Sequence, residues 1–502
     1  MKIDSFLQHY QLQSNPFQAE EARHDPVFDR LADASTNHPD FAKIVGRLDK
    51  PSTAVVFGEK GSGKTAMRLL IGKYIDRHNA EHPDERVLVV PYDDFNPVLD
   101  NLARSVRQDG HKVLQRFRLE DHQDAILARA VTELVDALLG EGSGSGRNGE
   151  PVRLPEEAER AIKAMPRQRR VDLAVLAALY DHPQAGSIEP RWRRLRARLG
   201  LHWRLPLSWA KYAAGVLTGL TAGFAIAVAA IGTEPRWVVT TLVVVAVAAA
   251  VLWGYWLWRQ TKLWWLARRA AKDLRAVNRS VGELRSLLAL LSPADLARQP
   301  LPTAHHDDDH SPSDARYQLT RRLVGVLNEL GYVGLVVLVD RVDEPTLISG
   351  EADRMKALVW PMLDNKFLQQ EGVGLKLLLP IELRHLLMRE SSEFFQEARL
   401  DKQNMIDRLT WSGTTLYDLC TTRLNAVRPA GVETISLTDL FEDGVTRDGL
   451  IDALDQMHQP RDAFKFLYQV IQEHCRMVPE EEQNFSIPRL TLENVRKMQS
   501  QR

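Results

Sequence analysis

The sequence predicts an α/β protein of three-layer type, a parallel sheet covered by helices, with a C-terminal helical lid and an inserted two-helix transmembrane hairpin. Three observations predict it. A short β-branched run ending at Phe57 enters a glycine-rich loop and then a helix. Two further apolar runs, Arg86–Pro91 and Tyr332–Val339, have strand length and no alternation, the pattern of parallel strands covered on both faces. Between these runs lie two charge-free stretches, Tyr212–Ile231 and Trp237–Trp258, each of about 20 residues and so about 30 Å long as helix, the thickness of a bilayer core.

Taken in order, the N-terminal residues mix polar and aromatic positions. Asn15-Pro16-Phe17 marks a turn, and Asp40–Val45 is expected to be helical. Next, Gly58, Glu59, Lys60, Gly61, Ser62, Gly63, Lys64 and Thr65 fit G-x-x-x-x-G-K-[ST], the phosphate-cradling P-loop. Gly58, Gly61 and Gly63 are expected at positive φ, turning successive N–H groups toward an anion. The following helix points its positive dipole end at the same place. Lys64 would reach the β- and γ-phosphates of ATP and the Thr65 hydroxyl would coordinate Mg²⁺.

The strand Arg86–Pro91 closes in Asp93-Asp94-Phe95-Asn96-Pro97, where Asn96 is expected to cap a helix with Pro97 at its first position. The carboxylate pair there reads as capping and solvation. Gln123–Leu139 is a further amphipathic helix, and Gly140–Gly146 is a flexible linker. After the hairpin, Leu266–Leu291 reads as one long helical stretch. His305-His306-Asp307-Asp308-Asp309-His310 has metal-ligand residue types without ligand spacing, and reads as a solvated loop.

The apolar strand Tyr332–Val339 ends in Asp340-Arg341-Val342-Asp343-Glu344. A strand-end Asp340 at the carboxyl edge of the sheet is what Mg²⁺ beside a P-loop needs, and Asp343 or Glu344 could polarise an attacking water. Further strands are expected at Val373–Leu379 and Met405–Trp411. Glu382, Arg384, Arg399 and Arg408 lie near their ends, each weighed as a γ-phosphate contact and read as solvated or ion-paired. Helices are expected over Thr415–Leu424, Leu437–Phe441, Arg447–Met457 and Arg461–His474, the last opened by Gln459-Pro460.

The hairpin's orientation follows from its flanks. Arg191, Arg193, Arg194, Arg196, Arg198, Arg204 and Lys211 precede it, and Arg259, Lys262, Arg268, Arg269, Lys272 and Arg275 follow it. The turn Gly232–Arg236 carries only Glu234 and Arg236, so both ends are expected on the cytoplasmic face of the inner (plasma) membrane. Aromatic residues cluster near the span ends, where rings prefer the interface. The 502-residue chain is nearly neutral, with net charge −1, so nothing in the totals argues for a nucleic-acid partner. Its two cysteines, Cys420 and Cys475, suit a reducing compartment, and its first residues lack the apolar core of a secretory signal.

The glycine-rich loop and Asp340–Glu344 together resemble the Walker A and Walker B motifs of the STAND and AAA+ branch of P-loop ATPases, and the D-x-x-D-E form resembles the STAND, NACHT-like members most. Two spans between the motifs resemble the KAP family, although Arg341 and Glu344 stand where that family's D-D-L-D-R ending has Asp and Arg. The resemblance implies that Met405–Leu424 is a last core strand and first lid helix, and that Arg461 is a sensor arginine reading the γ-phosphate.

The expected domains are a first core half over 1–140, an insertion over 141–315, a second core half over 316–412 and the lid over 413–502. The expected function is a membrane-anchored ATPase switch or assembly ATPase that forms a homo-oligomer and acts on a protein partner left unidentified. A nucleic-acid-linked ATPase of origin-recognition or transposition-helper type and a transport or channel component are the alternatives. A C-terminal region without strong basic character counts against the first, and spans without ionisable residues count against the second.

Overall fold

The computed structural model describes residues 1–18, 22, 25–31, 38–107, 110–141, 158–183, 187–201, 208–231, 236–302, 312–479, 482 and 484–500. Three short helices, α1 (Ile3–His9), α2 (Pro26–Leu31) and α3 (Phe41–Val45), precede the first strand, β1 (Ala54–Gly58). Helix α4 (Lys64–Glu81) and strand β2 (Arg86–Tyr92) follow. A long helical stretch then comprises α5 (Asn96–Val106), α6 (Leu119–Leu139), α7 (Arg167–Tyr180), α8 (Ile188–Arg198), α9 (Ser208–Ile231), α10 (Arg236–Asp273), α11 (Val281–Ala289) and α12 (Pro312–Glu329). Strands resume at β3 (Tyr332–Val339), β4 (Val373–Pro380) and β5 (Asn404–Ile406). The chain closes in α13 (Gly413–Ala426), α14 (Arg447–Asp455), α15 (Pro460–Met477) and α16 (Arg489–Ser500), with shorter helical turns between.

The protein is mixed α/β and divides into two compact units, Met1–Phe95 with Gly334–Arg502, and Asn96–Val333. The division leaves α5, α6 and α12 grouped with the two long apolar helices, whereas the expected insertion spans 141–315.

In the first unit the five strands form one parallel sheet in the order β2-β3-β4-β1-β5. Each residue of β1 and β4 is buried, which explains why neither strand alternates. Registers such as Gly58 opposite Pro380 and Val339 opposite Leu377 bring the carboxyl ends of the strands to one edge. β5 is shorter than expected. Pairing stops at Ile406, and beyond it the Leu409 N–H donates to the Phe57 carbonyl of β1 at 2.7 Å.

Helices are found at the four C-terminal stretches expected of them, Leu437–Leu440 as a short 3-10 turn, and their core includes Leu416, Leu450, Phe466 and Val470. The same core takes in Phe6, Leu12, Phe17 and Val27, so the N-terminal segment packs with the C-terminal helices. Arg423 secures that packing. Its Nε and Nη2 donate to the Pro16 carbonyl at 2.9 and 2.7 Å, its Nη1 lies 2.6 Å from Asp25, and its guanidinium sits 4.4 Å from the Phe464 ring centroid.

The second unit is helical and carries buried charges in pairs, as burial requires. Asp124 accepts from Arg316 and from the Tyr180 hydroxyl, and Arg191 bridges Asp181 and Asp136. Arg316 also donates to the Asp273 carbonyl at 3.0 Å and Arg275 pairs with Asp121 at 2.8 Å, so the end of α10 is tied to α12 and α6.

α9 and α10 are long and apolar enough to cross a membrane, and only 6% of the apolar window of each is buried. That exposure is the reverse of what a water-soluble core helix shows. α10 does not stop at Trp258. It runs for 38 residues, about 57 Å, to Asp273. The expected stretch Leu266–Leu291 is therefore broken: α10 ends, Asn278 takes a positive φ of 52°, and α11 starts at a capping box of Ser280 and Glu283. Other bounds move as well. Asn96 is the first residue of α5, not its cap, and the helix expected from Gln123 starts at Leu119. The linker residues 142–146, the turn residues 232–235, Arg204 and the run 305–310 lie outside the described residues.

Candidate functional site

The loop between β1 and α4 is built by its glycines. Gly61 and Gly63 have φ of +97° and +91°, the left-handed region that side chains resist. Gly58 differs from the expectation. It is the last residue of β1 and is not among the positive-φ residues; a Cβ there would stand 2.4 Å from Ser62 Oγ and 3.2 Å from Lys64 Cγ. Close approach of the loop, not backbone handedness, demands glycine at 58.

Lys64 turns back into the loop, and its ammonium donates to the carbonyls of Gly58 and Glu59, both at 2.8 Å. Burial pushes its pKa down, opposed by the carboxylates of Asp340, Asp343, Glu382 and Glu59. The Glu59 side chain faces outward from the loop, paired with Arg408 and accepting from Gln459.

The decisive contact crosses 275 positions of sequence: the Thr65 hydroxyl donates to Asp340 Oδ2 at 2.9 Å. Asp340 is buried at the end of β3. Burial pushes its carboxyl up, while Arg68 and the Thr65 hydroxyl pull it back. Arg68, one turn along α4 from Lys64, is buried too. Its Nε lies 3.4 Å from Asp340 Oδ2 and its Nη1 pairs with Asp93. Asp93 is thus a fixed partner of a buried cation, which corrects the solvated reading of that carboxylate.

A cavity of about 470 Å³ opens on this contact. Its polar wall holds Lys60, Gly61, Gly63, Lys64, Thr65, Asp340, Asp343, Glu344, Glu382 and Arg461. Gly58, Glu59 and Ser62 belong to the loop but do not line it. Of the arginines weighed beside Glu382, Arg408 pairs with Glu59 and Arg384 with Asp407, and Arg399 sits in the left-handed region after a short helix. The Gln459–Arg461 turn presses on the loop: a Cβ at Gly61 would lie 2.8 Å from Gln459 Oε1 and 3.2 Å from Arg461 Cβ.

Several lining residues were not found in the sequence. Phe28 and Leu31 from α2, Leu419 from α13 and Phe464 from α15 form an apolar wall with Met67 and Leu70. His38 also lines the cavity. Its Nε2 shares a 2.7 Å bond with the Thr410 carbonyl, its ring meets Trp411 edge-on at 4.8 Å, and Trp411 Nε1 donates to the Ser62 carbonyl at 2.9 Å. No short motif marks these positions, because they converge from opposite ends of the chain.

Chemically, a hydroxyl beside a buried carboxylate is a hard oxygen pair suited to a small divalent cation. A left-handed glycine loop with an inward ammonium at a helix N-terminus suits an anion next to it. Among the described residues, no group of three or more His, Cys, Asp or Glu side chains could hold a metal ion on its own. Comparison of the chain with family models, with curated proteins and with solved structures gives no match.

Proposed function

We propose that the chain is a membrane-anchored, Mg²⁺-dependent ATPase of P-loop type, in which nucleotide state orders the C-terminal helices against the sheet. The observation that carries this reading is the Thr65–Asp340 contact at the mouth of the glycine-rich loop. Thr65 and Asp340 would hold the Mg²⁺, which when bound supplies positive charge to the phosphates. The remaining work falls to the protein's own groups. Lys64 exchanges the Gly58 and Glu59 carbonyls for phosphate oxygens, and the loop N–H groups donate beside it. The apolar wall of Phe28, Leu31, Met67, Leu70, Leu419 and Phe464 gives a purine base a dry face.

In hydrolysis the water oxygen bonds to the γ-phosphorus, the bond from that phosphorus to the β–γ bridging oxygen breaks, and ADP leaves with the electron pair. Asp343 or Glu344 accepts the water proton, and Arg461 donates to the γ-phosphate. α9 and α10 anchor the protein with both flanks in the cytoplasm, where ATP is, and nucleotide-dependent ordering of the lid drives assembly of like subunits on a protein partner.

The test is titration of detergent-solubilised protein with Mg-ATP. Lys64→Ala removes charge-assisted bonds to phosphate and should weaken binding about 100-fold. Unchanged affinity would sink the reading.

A further inference from the structure

Arg341 follows the candidate metal ligand Asp340 and occupies the left-handed region at φ +61°. A non-glycine residue held there stores strain, and the surroundings must fix it. They do so through a tight turn: the Glu344 N–H donates to the Arg341 carbonyl at 3.2 Å, and the Arg341 guanidinium pairs with the Glu344 carboxylate. The carboxylates of Asp93 and Asp340 also act on Arg341 and favour its charged form. Both partners of the pair line the cavity with Lys64, Thr65 and Arg461. They remain half-open to it, with side-chain exposures of 28% for Arg341 and 48% for Glu344.

The two groups want different partners during turnover. A carboxylate clamped by a guanidinium is a poor proton acceptor. A guanidinium is the side chain best matched to phosphate, which it grips with two parallel N–H donors. A terminal phosphate entering the cavity brings an anion that competes with Glu344 for Arg341.

We propose that Arg341 is a γ-phosphate-reading residue that exchanges its Glu344 partner for the terminal phosphate of a bound nucleoside triphosphate, releasing Glu344 to take a proton from water. With a diphosphate bound, the Arg341–Glu344 pair persists and Glu344 stays clamped. This rests on the nucleotide-binding reading above and names the residue by which that site tells triphosphate from diphosphate.

The experiment is calorimetric titration of the full detergent-solubilised chain with Mg-ATPγS and with Mg-ADP. Arg341→Gly removes the guanidinium while suiting the positive φ, so the fold is spared. It should lower the preference for ATPγS over ADP about tenfold, and Arg341→Lys should recover part of it. Glu344→Gln frees Arg341 and should tighten ATPγS about tenfold with ADP unchanged, a gain lost in Arg341→Gly/Glu344→Gln. A merely structural turn would lose stability without moving the ratio. Wild-type protein that binds neither nucleotide overturns the site itself. Wild-type protein that binds both, with a ratio untouched by Arg341→Gly, overturns this proposal alone.

Discussion

Arg423 offers the sharpest test of how the first unit is held together. Arg423→Met keeps the aliphatic stem and its packing but deletes the guanidinium. Two bonds to the Pro16 carbonyl, the pair with Asp25 and the contact over Phe464 vanish together. Arg423 is 2% exposed and Asp25 5%, so water does not replace what is lost. Among the described residues, Asp25 keeps the Val27 N–H as a donor at 3.0 Å and has no other cation. Removing one partner of a buried pair costs about 3–5 kcal/mol. For a unit of this size that corresponds to roughly 6–20 °C in melting temperature.

The assay is hydrogen exchange resolved along the chain, read beside thermal unfolding, so that opening of Pro26–Leu31 and Gly413–Ala426 is seen separately from the second unit. Adding Asp25→Asn removes the orphaned charge and should recover about half of the loss, since a buried pair deleted as a pair costs little. A single variant that melts within about 2 °C of the parent, or a double variant no better than the single, would refute the reasoning.

Other outcomes follow from the same structure. Burial pushes the Asp121 carboxyl from an ordinary 3.8 to about 6, so the folded protein keeps a proton the unfolded chain releases; that stability is full below the lower value and lost as pH rises through the higher. Asp121→Asn lacks this loss, and the second unit should gain about 3 kcal/mol over the parent between pH ~4 and ~7, measured by thermal unfolding. Lys376 is buried with its ammonium on the Val45 and Ser52 carbonyls, and burial pushes it down from 10.5 to about 7. The folded protein releases its proton first, so the parent should gain stability over Lys376→Met as pH climbs between those two values, by up to about 5 kcal/mol. Gly61→Ala combines positive φ with a crowded Cβ and should displace the Gln459–Arg461 turn. Gly431→Ala, at φ +87° with nothing within 4 Å of its Cβ, should cost only about 1 kcal/mol of backbone strain and leave Mg-ATP affinity unchanged.

How far the sequence reveals this fold depends on the range of the interaction. Tyr332–Val339 is read with its true ends because eight apolar residues run straight into Asp340. β4 and the two apolar helices are read for the same reason, since an uninterrupted apolar run leaves a local signature whether it is buried in protein or exposed. β5 is overestimated because Met405–Trp411 looks like a strand, yet strand pairing ends at Ile406, and the chain beyond it touches β1 through Leu409 and the glycine-rich loop through Trp411. Arg68 was invisible. An arginine on a helix reads as surface, and the carboxylates that permit its burial arrive from β2 and β3, which only the strand order brings together. The apolar wall of the cavity was invisible too, because α2 meets α13 and α15 across nearly the whole chain.

Charge pairing within the site constrains how it must work. Lys64 donates to two carbonyls, Arg68 is ion-paired with Asp93 and Asp340, and Arg341 with Glu344, so each of these cations already has a partner. Asp340, Asp343, Glu344 and Glu382 add negative charge to the same wall. A polyphosphate arriving alone would have to displace internal contacts while facing carboxylates, and each exchange returns little net free energy. On the proposed reading, a divalent cation on Thr65 and Asp340 would change that balance, because it would neutralise the carboxylate and the phosphates together. Nucleotide affinity should therefore collapse on chelation of Mg²⁺ more steeply than it does with added salt, which screens exposed charges and leaves a buried metal bridge largely intact.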